Sequence, residues 1–227
     1  MLNKIIPYEE KLFFLINNGH SAFFDSSMWL FSSIKSWIPL IIAILFFIVY
    51  KNSWRQWLPI LIAMILVLTL SDQFSSHLIK PLFMRPRPSH YPGIMEHVRV
   101  LNDYRGGKYG FISGHATNSF GLAMFTSLLF RDRLYSIVVF IWAIIISYSR
   151  IYLGVHFPSD IAGGIIAGMT IGYCVYRLYY FTAKKLSQKD MLYLPPRFPK
   201  HHTHLLSFII IGYILILTLF DTSIIKN

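Results

Sequence analysis

Residues 149–160 read SRIYLGVHFPSD, which sets Arg150, His156 and Asp160 close together in an otherwise apolar run. An arginine offers a planar fork matched to phosphate oxygens. A histidine followed four residues later by an aspartate can donate its Nδ1–H to that carboxylate, which frees the other ring nitrogen as a nucleophile. Pro158 stands at an apparent helix start, with Ser159 or Asp160 placed to cap it. The plainer reading is a polar loop between two helices. Two upstream clusters weigh against it. KPLFMRPRP ends one apolar run with Lys80 and Arg87, and FISGHATNSF opens the next with Ser113, Gly114 and His115. Lys80, Arg87 and Arg150 are cations able to converge on one dianion, the lysine adding a point charge to two forks. Ser113 and Gly114 at a helix N-terminus would add free backbone N–H groups and a positive dipole end. The glycine would let backbone approach a ligand closely. His115, across the site, could protonate a leaving alkoxide and later activate water.

For these clusters to meet, the apolar runs must cross a membrane and return. The chain has 227 residues, 55% of them hydrophobic and 14% charged, with a mean hydropathy of +0.51. That is more apolar surface than a soluble domain hides, so an integral membrane protein is expected, as a single domain over 1–227. Apolar runs of about 20 residues suffice to cross roughly 30 Å of hydrocarbon. Such runs fall near Met28–Tyr50, Trp54–Ile79, His115–Phe130, Leu134–Leu153, Ser159–Phe181 and Leu205–Asp221. The expected fold is all-α, a polytopic membrane bundle of about six transmembrane helices. The N-terminal stretch IIPYEEKLFFLINNGHSAFFD is broken by Glu9, Glu10, Lys11, Asn17 and Asn18 and predicts a helix lying at the interface. Its acidic pair and lack of a cleavage pattern argue against a signal peptide. By parity, the end of span two, the start of three, the end of four and the start of five share one side. All three polar clusters then lie on it. In AGGIIAGMTIG, Gly164, Gly168 and Gly172 recur every four residues, a face for close helix packing.

A net charge of +11 carries no nucleic-acid recognition motif with it, so no nucleic-acid partner is expected. The cations fit loops on the cytoplasmic side and contact with anionic lipid. Cys174 is the sole cysteine, which excludes an internal disulfide and a thiolate metal cluster. The first loop (Lys51, Arg55), the third (Arg131, Arg133) and the fifth (Arg177, Lys184, Lys185, Lys189, Arg197, Lys200) are basic and predict the cytoplasmic face. The second loop (Pro81–Gly114), the fourth (Gly154–Pro158) and both termini then face outward. The second loop is itself basic, against the rule, unless its cations have another task. Arg85, Arg99, Arg105 and Lys108 would either contact a large anionic head group or be solvated. Trp29, Trp54 and Trp57 fit interfacial anchors. Asp72 and His77 lie on the second span before Lys80 and fit hydrogen bonding behind the site, or helix packing. His201, His202 and His204 look like a metal tract, but fall in the fifth loop and read as interfacial.

K-x6-R-P at Lys80–Pro88, S-G-H at Ser113–His115 and S-R-x5-H-x3-D at Ser149–Asp160 together resemble the three-part signature of the type-2 phosphatidic-acid phosphatase family. That family includes membrane lipid phosphatases, soluble bacterial acid phosphatases and vanadium haloperoxidases. The resemblance covers Lys80 to Asp160. It implies a mechanism without metal or cofactor. His156 would attack phosphorus to give a phosphohistidine, His115 would act as acid and then base, and Asp160 would orient His156. Lys80, Arg87, Arg150 and the Ser113–Gly114 backbone would hold the phosphoryl oxygens. One departure is Ile112, where the family usually has proline before S-G-H.

The implied function is hydrolysis of a phosphate from a lipid head group at the outer, periplasmic face of a bacterial inner membrane. YRGGKYGFISGHATNSFGLA resembles bacterial phosphatases acting on lipid A, which favours that substrate, at its 4′- rather than its 1-phosphate. Undecaprenyl pyrophosphate and phosphatidylglycerol phosphate are the rival substrates. Among other classes, a haloperoxidase is disfavoured by the spans, and a non-catalytic lipid-binding or lipid-moving protein by the retained His156–Asp160 pair. The partners expected are the lipid phosphate and bulk membrane lipid, and the sequence leaves the oligomeric state open.

Overall fold

The computed structural model describes residues 6–189, 196 and 198–219. The order is α1 (Ile6–Asn17), α2 (Ala22–Ser32), α3 (Ile38–Val49), α4 (Trp54–Asp72), α5 (Lys80–Phe83), α6 (Gly114–Phe130), α7 (Arg133–Tyr152), α8 (Pro158–Lys189) and α9 (Lys200–Leu219). A 3₁₀ turn, Ile34–Trp37, joins α2 to α3, and a π-helical stretch, Gln73–Ile79, joins α4 to α5. An isolated antiparallel bridge pairs Pro86 with Tyr109 in the long second loop.

Local chemistry sets several boundaries. Ser21 accepts from the Phe24 amide at 3.2 Å to start α2, and Asp132 accepts from the Tyr135 amide at 2.9 Å to start α7. Ser113 caps α6 by accepting from the Ala116 amide at 3.5 Å. α8 opens at Pro158, as its fixed φ favours. Neither Ser159 nor Asp160 is the cap residue. Asp160 lies in the first turn and its carboxylate reaches back to the Phe157 amide at 2.9 Å, the reciprocal half of a capping box.

Among the described residues, four helical segments are long and apolar enough to cross a membrane: Trp54–Phe83, Arg133–Tyr152, Pro158–Gln188 and Lys200–Leu219. Ala22–Ser32 and Ile34–Val49, bent by 75°, make a fifth if taken together. The architecture is the expected all-α membrane bundle, with four or five spans by this measure where six were expected. The difference has two sources. α6 has 17 residues and lies largely inside the protein, between α4, α7 and α8. The run expected as one helix over Met28–Tyr50 breaks at Ser33, whose extended backbone (φ −83°, ψ 125°) turns the chain before α3 begins at Ile38 with Pro39 in its first turn. Trp37 Nε1 donates to the Phe31 carbonyl at 2.9 Å and closes the bend.

The glycines of α8 do what their spacing implies. A Cβ added at Gly168 would lie 2.3 Å from the Thr117 carbonyl oxygen, and one at Gly172 would lie 2.3 Å from that of Gly121. α6 and α8 thus approach backbone to backbone, which fixes the N-terminus of one against that of the other. α9 begins at Lys200, so His201, His202 and His204 lie in a helix rather than a loop; residue 221, the expected end of the last span, is outside the described residues. His202 packs its ring against Tyr50, and His204 pairs with Asp132 at 3.2 Å. Among the described residues no three His, Cys, Asp or Glu side chains gather to hold a metal ion.

Candidate active site

His156 sits in the short connection between α7 and α8, 1% exposed, with Asp160 wholly buried beneath it. Its Nδ1 lies 3.3 Å from Asp160 Oδ2 and its Nε2 lies 3.2 Å from Arg87 Nη1. A guanidinium has only donors, so Nε2 must offer its lone pair and the proton must reside on Nδ1, toward the carboxylate. Burial, reinforced by the charges of Arg87 and Arg150, holds the His156 imidazole well below its ordinary pKa. The ring is therefore neutral, in the tautomer a nucleophilic Nε2 requires.

The carboxylate of Asp160 is held from behind. Arg85, 1% exposed, donates through Nη1 to Asp160 Oδ1 at 3.0 Å and through Nη2 to Glu9 of α1. Glu9 in turn accepts from the Ser159 amide at 2.9 Å, taking a first-turn N–H of α8. The Arg85 guanidinium lies over the Phe157 ring, 4.4 Å from its centroid. Gly110 lets the second loop close over this group: a Cβ there would lie 2.8 Å from Asp160 Oδ2.

The three cations come together at the same end of the bundle. Their fields, with that of His115, all reach His156. Arg87 is fixed by the carbonyls of Tyr109 and Val155, each at 3.2 Å. Burial and the nearby Arg150 push Arg87 down to about 10, which leaves it charged at neutral pH. Arg150 donates to Ser32 Oγ, at the break between α2 and the 3₁₀ turn, and to Tyr104 Oη at 3.2 Å. Burial would raise the Tyr104 hydroxyl, but Arg150's charge and hydrogen bond hold it below its ordinary value. The Nε of Arg150 is buried with no partner among the described residues. Lys80 stands at the end of the π-helical stretch and donates to Ser76 Oγ at 3.4 Å, which itself donates to Asp72 Oδ1 at 3.2 Å. A Cβ on Gly114 would lie 3.8 Å from Lys80 Nζ, so the start of α6 meets the lysine directly. His115 lines two adjoining cavities of about 520 and 430 Å³, the smaller one bordered by Arg150, Tyr104 and Lys35.

All eight residues singled out from the sequence (Lys80, Arg87, Ser113, Gly114, His115, Arg150, His156 and Asp160) thus occur in one neighbourhood, with one change of part. The Ser113 amide donates to the Asp160 carbonyl at 3.0 Å, so it ties α6 to α8 and is not free for a ligand. That leaves the Gly114 amide as the first backbone donor of α6. Neither expectation for Arg85 holds: it is neither solvated nor on a head group, but is spent on Asp160. Arg99 pairs with Asp25 at 2.7 Å and Arg105 donates to the Ser89 carbonyl at 3.3 Å, so much of the second loop's charge is used internally. Asp72 does lie behind Lys80, through Ser76, whereas His77 is exposed.

Sequence reasoning missed Glu9, Asn17, Ser32 and Tyr104. For α1 a signal existed: Glu9, Phe13 and Asn17 recur every four residues and form its buried face, with Asn17 Nδ2 donating to the carbonyls of Arg99 (3.0 Å) and Tyr152 (2.9 Å). The opposite face exposes Tyr8, Leu12 and Leu15, as an interfacial helix would. The Phe111–Ile112 peptide, at the departure from the usual proline, is cis.

Fold and site define a polytopic helical membrane protein equipped for phosphoryl chemistry on a lipid. The chain belongs to the PAP2 superfamily, which residues 56–184 match. It is 41% identical over 181 residues to the lipid A 4′-phosphatase of Porphyromonas gingivalis, covering 80% of this chain and 77% of that protein. Identity to the lipid A 4′-phosphatase of Bacteroides thetaiotaomicron is 37% over 190 residues, 83% of each chain. The crystal structure of Aquifex aeolicus LpxE superposes with a TM-score of 0.56 at 28% identity, covering 75% of this chain and 95% of that one.

Proposed function

We propose that this protein removes the 4′-phosphate from lipid A at the periplasmic face of a bacterial inner membrane, with 1–227 acting as one catalytic domain. The observation that carries the chemistry is the His156 arrangement: Nε2 faces Arg87 while Nδ1 faces Asp160. The substrate is supported by the two lipid A 4′-phosphatases at 41% and 37% identity.

The reaction runs in two displacements. Lys80, Arg87, Arg150 and the Gly114 amide hold the phosphoryl oxygens and offset the charge that builds on them. The His156 Nε2 lone pair attacks phosphorus in line as the phosphorus–oxygen bond to the sugar breaks. His115, on the leaving side, takes up the proton that the phosphate monoester brings with it and passes it to the departing alkoxide. Asp160, braced by Arg85, stabilises the positive charge that His156 gains. Neutral His115 then takes a proton from water, whose oxygen attacks the phosphohistidine, and inorganic phosphate departs. No residue of this scheme requires a metal ion.

The test is phosphate release by purified protein in detergent with EDTA, from lipid A, undecaprenyl pyrophosphate and phosphatidylglycerol phosphate, with His156→Ala as control. Lipid A should be the fastest substrate, with release lost in the variant. Faster release from another lipid would reassign the substrate, and EDTA-sensitive release would refute the mechanism. The facing of the site is tested by maleimide labelling of a cysteine placed at Gly107 in intact cells, where labelling by an impermeant reagent is expected.

A further inference from the structure

Two cavities meet at His115, and they differ in chemistry. The larger, of about 520 Å³, has Phe31, Ile41, Leu68 and Ile146 in its wall and suits acyl chains. The smaller, of about 430 Å³, is lined by Ser32, Ser33, Lys35 and Tyr104 together with His115 and Arg150. Both fall in the range of about 300–1,000 Å³ usual for ligand sites. In-line displacement puts the leaving alcohol opposite His156, on the side of His115. The head group that carries this alcohol therefore has the smaller cavity before it, with the exposed Lys35 on its wall.

A lysine at a membrane surface is ordinarily solvated or set against bulk anionic lipid. Three observations separate Lys35 from that case. It shares a cavity with His115 and Arg150, whereas the reacting phosphoryl group already has Lys80, Arg87 and Arg150. Among the described residues Lys35 forms no ion pair and no carboxylate lines this cavity, while Arg85, Arg99 and Arg105 are each spent on partners inside the protein. Its backbone is also fixed, because the 3₁₀ turn that carries it is tied on both sides. Trp37 Nε1 donates to the Phe31 carbonyl at 2.9 Å, and the Tyr213 hydroxyl of α9 donates to that of Ser36. A cation on a fixed backbone loses little more than its own side-chain freedom on binding an anion.

We propose that Lys35 is a specificity-determining residue that pairs with a second phosphate on the head group of the leaving alcohol. In lipid A that group is the 1-phosphate, at the other end of the sugar backbone from the one removed. The lysine thus reads a doubly phosphorylated head group, and the enzyme acts in preference on lipid A that still carries both phosphates. This rests on the lipid A reading above and extends it to the form of lipid A that is taken.

The experiment compares wild type, Lys35→Met and Lys35→Arg on three substrates: lipid A with both phosphates, lipid A with the 4′-phosphate alone, and p-nitrophenyl phosphate, which has no second anion. Wild type should show a KM about three- to fivefold lower for the doubly phosphorylated lipid, the scale of one exposed ion pair, with kcat alike. Lys35→Met should raise that KM to the value for the singly phosphorylated lipid and leave the other two substrates unchanged, and Lys35→Arg should keep the preference. In about 1 M NaCl, where charges are screened within about 3 Å, the wild-type preference should shrink. Equal KM values for the two lipids in wild type overturn the proposal. So does an equal loss on both lipids in Lys35→Met, the result that contact with bulk lipid would give. Wild type on the two lipids decides alone if Lys35→Met fails to fold. Release from p-nitrophenyl phosphate but from neither lipid refutes the lipid A reading and this proposal with it, and no release from any substrate refutes the phosphatase reading beneath both.

Discussion

Arg85 and Asp160, 75 positions apart in sequence, meet Nη1 to Oδ1 at 3.0 Å on the side of the carboxylate away from His156. The same guanidinium holds Glu9, so the first helix of the chain is bound through two carboxylates to the residue that orients the nucleophile. A buried arginine between two buried acids has no solvent to fall back on, and its removal strands both.

Arg85→Met should therefore destabilise the protein by about 3–5 kcal/mol, because Glu9 and Asp160 lose their shared cation in a desolvated site. Thermal unfolding in detergent measures this. Glu9→Gln keeps an acceptor for the Ser159 amide and should lose less. A wild-type unfolding midpoint for Arg85→Met would mean that the network is solvated.

Close approach of α6 and α8 sets a second expectation. Gly168→Leu places a side chain where Cβ alone would meet the Thr117 carbonyl at 2.3 Å, whereas among the described residues nothing lies within 4 Å of a Cβ at Gly212 in α9. Overpacking of this kind costs about 1–3 kcal/mol, and here it also shifts His115 relative to Asp160. Unfolding midpoints and phosphate release should both fall for Gly168→Leu. Gly212→Ala should be neutral or stabilising by up to about 1 kcal/mol, since it replaces a helical glycine in open space.

Protonation of His156 gives a pH dependence with a definite sign. Its folded pKa lies well below the ordinary value, so below about pH 6.5 the unfolded chain binds a proton that the folded protein does not. The stability contribution of the neutral ring is complete above that pH and is lost progressively as pH falls. Unfolding midpoints of wild type and His156→Asn, measured from pH 8 down to pH 5, about the span over which an ordinary imidazole titrates, should differ in slope only on the acid side. Parallel curves throughout would show that His156 titrates alike in both states.

Tyr104 accepts from Arg150 at 3.2 Å and steadies the cation over the site. Tyr104→Phe removes that acceptor and should raise KM about fivefold, the scale of one ordinary hydrogen bond of about 1 kcal/mol, with kcat changed less. Steady-state kinetics on lipid A checks this, and a wild-type KM would show that Ser32 and packing suffice to place Arg150.

Residue types and order alone determined the membrane class, the three polar clusters and the small-residue face of α8. Each depends on a pattern within a short stretch: a run of apolar residues, a K-x6-R-P or S-G-H spacing, a glycine every fourth position. A lipid environment makes such patterns strong, since polar residues inside it are costly and few. Parity of the spans even placed Lys80, His115, Arg150 and His156 at one end. Only the tertiary structure decided what stands behind them. The fold turned Glu9 and Arg85 inward, gave the Ser113 amide to Asp160, and broke the first span at Ser33 so that Ser32 reaches Arg150. The partners in these contacts are 47 to 150 positions apart, or, at the break, depend on which of two allowed backbone conformations the packing selects. A serine or an arginine looks the same in sequence whether it faces water or a buried carboxylate. The difference is one of desolvation, and it comes into being only when the helices pack.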